Sequence, residues 1–186
     1  PVYIVIWTTT PWTLPANMAI AIHPAYEYVV ADMGGEYHIL AKGLIEAFTE
    51  ETKLKIHRKV KTFTGEQLSG IICKHPFLSR EISTIIGDFV TLDQGTGCVH
   101  IAPGHGIDDY NLGKTYNLPV YSPVDSQGKF TKDAGELAGI KIEKANEIII
   151  NMLAKNGNLI SKGKIIHSYP HCWRCKKGVI FRATNQ

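Results

Sequence analysis

Residues 2–17 read VYIVIWTTTPWTLPAN, and the two prolines in that run restrict the fold more than any other feature of the chain. A proline inside a helix removes a backbone donor and clashes with the preceding turn, so Pro11 and Pro15 rule out a long helix over 8–16. The apolar, β-branched run ahead of them, residues 2–7, is predicted to be a strand buried on both faces. Thr8, Thr9 and Thr10 then fall on the strand end and Thr13 in the loop beyond it. Their shape suits a strand, which leaves open whether their hydroxyls face a ligand.

Further along, YEYVVADM and EYHILA flank Gly34–Gly35, the pattern of two strands joined by a tight hairpin. Ala41, Leu44, Ile45 and Phe48 recur at helical spacing and predict a short helix. KLKIHRKVK alternates, which predicts a half-buried strand with Lys53, Lys55, His57, Lys59 and Lys61 on one basic face. That face is either a solvated edge guarded against aggregation or a stripe that meets nucleic acid. EISTIIGDFV and GCVHIAP are two more strand candidates. Ala145, Ile148, Ile149, Met152 and Leu153 mark the clearest amphipathic helix, ending near Gly157. The fold class expected from the residues is mainly β with peripheral helices, without internal repeats.

The bulk properties narrow the classes. A chain of 186 residues, 44% apolar, has the size and composition of one globular domain with an ordinary core. A net charge of +3, from 20 basic and 17 acidic residues, permits contact with a polyanion without pointing to one. No apolar run reaches the roughly 20 residues of a membrane helix, and the N-terminus has neither a basic leader nor a cleavage site, so a cytoplasmic protein without a membrane partner is expected. The chain starts on a strand-like run without an initiator Met, as a piece of a longer protein would. Of the four cysteines, Cys73 and Cys98 lie in apolar surroundings and are expected to be reduced core residues. Only Cys172 and Cys175 have a ligand spacing, C-x-x-C, and one pair is half of a tetrahedral zinc site.

Chemistry concentrates in GTGCVHIAPGHGIDDY. His100 lies in a strand-like run, His105 in a glycine-flanked bend, and Asp108 and Asp109 at the start of a short helix. Strand-to-loop junctions of this kind commonly hold sites, because a rigid element positions a loop with room for substrate. His100 also fits a core histidine satisfied by a backbone carbonyl, and Asp108 fits a helix N-cap. Asp109 needs no ligand to explain a second carboxylate at a helix N-terminus. His100, His105 and Asp109 could also serve a metal-dependent hydrolase, since imidazole plus carboxylate is an ordinary ligand set. A serine-type triad is disfavoured, because no G-x-S-x-G elbow is present.

Taken together, WTTTPWTLPAN, GTGCVHIAPGHGIDDY and HSYPHCWRCKKGVIFRAT resemble, in that order, the inserted (connective-polypeptide) editing domain of isoleucyl-tRNA synthetase, a class I aminoacyl-tRNA synthetase. The valyl and leucyl enzymes are alternatives that it resembles less: their threonine segments typically run TTRP. Residues 25–90 add little to the resemblance. It implies a distorted β-barrel editing domain over 1–166 and a tail over 167–186 returning toward the synthetic core. It implies a parent that joins isoleucine to tRNA(Ile) using ATP, and possibly zinc.

The implied activity has a physical motive. One missing methylene is worth about 1–3 kcal/mol, a limit for which isoleucyl-tRNA synthetase is itself the standard illustration, so a second site must hydrolyse valine from the tRNA. On the resemblance, Asp109 anchors the substrate α-ammonium by charge-assisted hydrogen bonds. His100 would shorten the pocket against isoleucine, and Thr8, Thr9 and Thr10 would serve the ester, ribose and attacking water. Trp7, Trp12, Thr13 and Asn17 complete the substrate-binding set, with His105 in support. The editing reaction needs no cofactor, and the implied partners are the 3′ end of tRNA(Ile) charged with valine and the rest of the synthetase chain. Cys172 and Cys175 would remain a half site without zinc.

Overall fold

A computed structural model describes residues 1–165 and 168–184. The predicted domain boundary between 166 and 167 lies outside the described residues. The chain divides into two compact units, the first made of Pro1–Thr8, Met18–His75 and Ser79–Ile101, the second of Thr9–Asn17, Pro76–Leu78 and Ala102–Gln186.

The first unit holds eight strands: β1 (Val2–Ile4), β2 (Ala19–Ile22), β3 (Glu27–Asp32), β4 (Tyr37–Ala41), β5 (Arg58–Thr64), β6 (Ile72–Lys74), β7 (Glu81–Ile86) and β8 (Cys98–Ile101). They form two four-stranded sheets in the orders β1-β4-β3-β5 and β6-β7-β2-β8. β1 pairs with β4, and β2 with β7, in parallel; the other ladders are antiparallel. Ile20, Ile22, Ile82 and Cys98 of one sheet share a core with Tyr28, Ile39 and Ala41 of the other. The Tyr28 hydroxyl donates to the Gly97 carbonyl at 2.8 Å and accepts from the His23 N–H at 2.9 Å, so a fully buried phenol is satisfied on both sides. The architecture is mixed sheets with helices. Among the described residues no ladder joins the two sheets into a closed ring.

Local rules held where short-range chemistry decides. The hairpin between β3 and β4 turns at Gly34 and Gly35, with φ of 85° and 99°, and Asp32 Oδ1 accepts the Gly35 N–H at 3.0 Å. Helix α1 (Ile45–Thr52) buries Ile45 and Phe48 as its spacing predicts, whereas Leu44 falls in a 3-10 turn ahead of it and Ala41 ends β4. A one-turn helix, α2 (Gly65–Leu68), was not predicted although its capping box, Thr64 with Gln67, is legible.

Two expectations fail. The strand predicted over 2–7 stops at Ile4 and is not buried on both faces: β1 is a sheet edge with Val2 59% exposed. The basic segment is also different. Residues 53–57 lie outside any strand, Lys53 closing α1 at φ 60°, and β5 is exposed along nearly its whole length rather than half-buried. Lys61 pairs with Val30 and Lys59 with the next residue, Ala31, so Val60 is bulged out. Paired residues share a face and consecutive ones do not, so Lys59 and Lys61 point to opposite faces.

In the second unit, Pro11–Ala16 forms a 3-10 helix, followed by α3 (Ile107–Thr115), a second 3-10 segment at Lys132–Leu137, and α4 (Ile142–Lys155). α4 buries Ile142, Ala145, Ile149 and Leu153 on one stripe. Its chain reverses at Asn156 and Gly157, the latter at φ 71°.

Candidate functional site

The proline-containing segment is tighter than the predicted loop. Pro at the first helical position and the Thr13 and Asn17 N–H groups, donating to Thr10 and Leu14 carbonyls at 3.0 Å each, wind it into 3-10 turns. The Thr13 hydroxyl also donates to the Thr10 carbonyl, at 2.9 Å. Its single proton is therefore committed, and a ligand meets it only as an acceptor. Thr13, Asn17 and Trp12 are buried, whereas Trp7, Thr8, Thr9 and Thr10 are half-buried.

Trp12 joins the segment to the second motif. Its backbone N–H donates to Asn146 Oδ1 of α4 at 2.9 Å, and its ring meets His105 edge-on, with centroids 4.9 Å apart. Sequence reading missed Asn146. The signal was there: a polar residue four positions after Ile142, on the apolar stripe of an amphipathic helix.

His105 sits in the bend after Ala102, whose carbonyl takes its N–H at 2.9 Å. Its Nδ1 lies 3.0 Å from the Phe181 carbonyl. A carbonyl only accepts, so Nδ1 carries the proton and Nε2 is a bare acceptor. That Nε2 is buried and has no partner among the described residues. Burial holds the imidazole below its usual range, only partly opposed by the Phe181 carbonyl, and the nearby Arg182 adds to the lowering. The tail thus contributes to this bend, and the Ala183 N–H reinforces it by donating to Gly104 at 2.8 Å.

Asp109 is the third residue of α3. The cap is Gly106, not Asp108 as predicted: Asp108 lies one residue inside the helix, exposed and without a capping bond. The bend after Pro103 makes Gly106 the last non-helical residue, and this shifts the frame. Asp109 folds back so that Oδ2 accepts the Ala102 N–H at 2.7 Å. Oδ1 lies beside Gly106, where an added Cβ would come within 3.2 Å. Burial raises the carboxyl above its ordinary range; the Ala102 N–H opposes this, and the neighbouring Asp108 charge adds to it. No cation is among the groups acting on it. A half-buried carboxylate with one oxygen anchored and no counter-charge is chemically suited to receive a cationic ligand group.

His100 lies on β8, half-buried and paired across the ladder with Ile20. Trp7 packs against Gly95, whose φ of 80° puts its backbone within about a Cβ contact of the indole: a Cβ there would be 3.2 Å from that of Trp7. The candidate residues therefore fall into two sets. Trp7, Thr8 and His100 belong to the first unit; Thr9, Thr10, Trp12, Thr13, Asn17, His105 and Asp109 belong to the second. Of the five places where the chain changes unit, Thr8–Thr9 and Ile101–Ala102 fall inside two of the three motifs.

For metals, no group of three or more His, Cys, Asp or Glu side chains able to hold an ion is assembled among the described residues. Cys172 and Cys175 do share a tight turn: the Lys176 N–H donates to the Cys172 carbonyl at 2.9 Å, and the Cys172 N–H to the Lys177 carbonyl at 2.8 Å. Backbone N–H groups of Cys175 and Arg174, with the Cys175 side chain, lower the Cys172 thiol below its ordinary range. This fits half of a zinc site, two cysteines held on one turn.

Residues 2–162 match the family model described as the leucyl-tRNA synthetase editing domain. The chain belongs to that editing-domain family. Its curated relatives include the isoleucine–tRNA ligases of Petrotoga mobilis and Fervidobacterium nodosum, each 55% identical over 99% of this chain and 20% of the relative. The ligase of Moorella thermoacetica is 51% identical over 98% of this chain. The chain spans about a fifth of the length of these relatives. Among solved structures, the leucyl-tRNA synthetase CP1 domain GlLeuRS-CP1 superposes with a TM-score of 0.68 at 16% identity, covering 88% of this chain and 85% of that one. The editing domain of the P. knowlesi cytosolic leucyl-tRNA synthetase gives 0.60 at 10% identity, with 82% and 81% covered. At such identities the likeness is one of fold. In sequence, the editing domain resembles the isoleucine enzymes.

Proposed function

We propose that this editing domain hydrolyses the ester of valine mischarged onto tRNA(Ile), as the proofreading part of a cytoplasmic isoleucine–tRNA ligase that uses ATP. The observation that carries the reading is Asp109: a carboxylate fixed by the Ala102 N–H, raised by burial and lacking a cation, on a chain 55% identical to isoleucine–tRNA ligases. The substrate α-ammonium supplies the missing charge.

The chemistry then asks little of the protein. An aminoacyl ester is already activated, so holding the carbonyl and a water in line suffices without a protein nucleophile. Water adds to the ester carbonyl, the terminal ribose oxygen leaves with a proton, and free valine and tRNA result. Hydroxyl and backbone groups of Thr8, Thr9 and Thr10 orient ester and water. Trp7, Trp12, Thr13 and Asn17 take substrate-binding roles, and His100 excludes the extra methylene of isoleucine. His105 Nε2, a bare acceptor, takes a hydrogen bond from a ribose hydroxyl or the water. In the parent, Cys172 and Cys175 would supply two of the four ligands of a zinc ion, and zinc would act there as a structural crosslink. The two open sheets of the first unit belong to a distorted barrel on this reading.

The test is single-turnover deacylation by the purified chain of Val-tRNA(Ile) and Ile-tRNA(Ile), with enzyme in excess. Valine is expected to be released and isoleucine retained. Equal release of both would overturn the size filter, and release of neither would overturn the hydrolase.

A further inference from the structure

The basic segment ahead of and within β5 has no place in the reaction, and the structure changes what it offers. Lys53, Lys55, Arg58, Lys59 and Lys61 are all exposed, and none forms an ion pair among the described residues. Asp32, paired with Arg58 across the ladder, directs Oδ1 to the Gly35 N–H instead. β5 is the edge of its sheet, with β3 on one side and no strand on the other among the described residues. Because Val60 is bulged out, Arg58 and Lys61 lie on one face and Lys59 on the opposite one, so cations flank the open edge from both sides. Lys61 Nζ stands 4.6 Å above the Phe63 ring, which packs against the core and steadies the lysine stem.

A lysine guard that only discourages strand pairing needs charge at an edge. It does not need five cations in nine residues without a carboxylate in contact, on both sides of an edge that no other strand covers among the described residues. That arrangement complements a polyanion running along the strand. We propose that the outer edge of β5, with Lys53 and Lys55 leading into it, is a docking strip for the phosphate backbone of RNA. The proposal rests on the proofreading reading, because an aminoacyl-RNA is what such a site receives. It assigns the strip to positioning the RNA body, separate from the ester chemistry.

The experiment measures binding of uncharged tRNA to the 186-residue chain by fluorescence anisotropy across a salt series, for the unaltered chain, the double variant Lys59→Gln/Lys61→Gln, and Lys132→Gln as a control on another exposed lysine. Removing a lysine that neutralises one phosphate reduces the slope of log affinity against log salt by about 1. The double variant is expected to bind about tenfold more weakly with a slope shallower by about 2. Lys132→Gln should bind as the unaltered chain does. An unchanged slope in the double variant, or equal weakening by Lys132→Gln, would overturn the strip. So would a dimer that the double variant disrupts, since the edge would then meet another strand.

Hydrolysis of valyl-adenosine, which lacks the phosphate backbone, separates the two readings. All three proteins should cleave it alike. Cleavage by none of them, with RNA binding behaving as expected, refutes the proofreading reading and not the strip.

Discussion

Replacing Asp109 by Asn removes a charge and almost nothing else. The amide oxygen can still accept the Ala102 N–H that Oδ2 accepts at 2.7 Å, and the side-chain volume beside Gly106 is unchanged. If Asp109 anchors an α-ammonium, the variant loses a charge-assisted bond in a half-buried site, about 3 kcal/mol at the upper end for hydrogen bonds to charged groups. At 1.36 kcal/mol per tenfold, kcat/KM for Val-tRNA(Ile) falls about 150-fold. Stability should move the other way. A carboxyl whose folded pKa is raised contributes stability only below its unfolded pKa, and loses it as pH rises through the folded value. At pH 7 burial of this carboxyl is therefore a cost, and Asp109→Asn should melt at or above the temperature of the unaltered chain. Asp109→Ala, by contrast, strips the acceptor from a buried N–H and should lose about 1–3 kcal/mol. Single-turnover deacylation and thermal melts at pH 7.5 read both quantities. Full activity of Asp109→Asn with a lowered melting temperature would refute the anchor and leave a purely structural carboxylate.

Other expectations follow from the same geometry. His100→Ala should release isoleucine from Ile-tRNA(Ile) at least tenfold faster, about 1.4 kcal/mol, while still clearing valine; a deacylation time course that still excludes isoleucine would show that another residue sets the size limit. Burial lowers the pKa of His38 and His105 from 6.5, so their stabilising contribution is complete above that value and is lost as pH falls from it toward the folded pKa values; urea midpoints measured from pH 8 to 5 should decline over that window, and less so in His38→Phe, whereas a flat profile would contradict the assigned burial. Gly97→Ala meets both a φ of 72° and a Cβ placed 2.4 Å from that of Ala41, and should cost about 1–3 kcal/mol in chemical denaturation; an unchanged midpoint would mean the loop refolds around the new methyl.

How much of this was legible beforehand depended on range. The β3–β4 hairpin, α1 and α4 were readable because turn glycines and apolar spacing act within a few residues. The motifs were likewise visible, and the isoleucyl editing domain they resembled agrees with the editing-domain family matched over residues 2–162 and with the isoleucine–tRNA ligases at 55% identity. The frame of α3 was misread by two residues, since Asp108 and Gly106 both make acceptable caps and the bend after Pro103 chose between them.

The sequence alone therefore determined the β3–β4 hairpin, α1, α4 and the place of the motifs in the chain, because backbone preference and apolar period are written locally. Only the tertiary structure decided what those residues face. Asn146 reaches Trp12 across 134 positions and Phe181 orients His105 across 76, bonds that no local pattern encodes. The same holds for β5: its alternation promised one basic face, and the ladder with β3 bulged Val60 and divided the lysines between two. Register is a property of the pair of strands, and a single strand's sequence does not contain it.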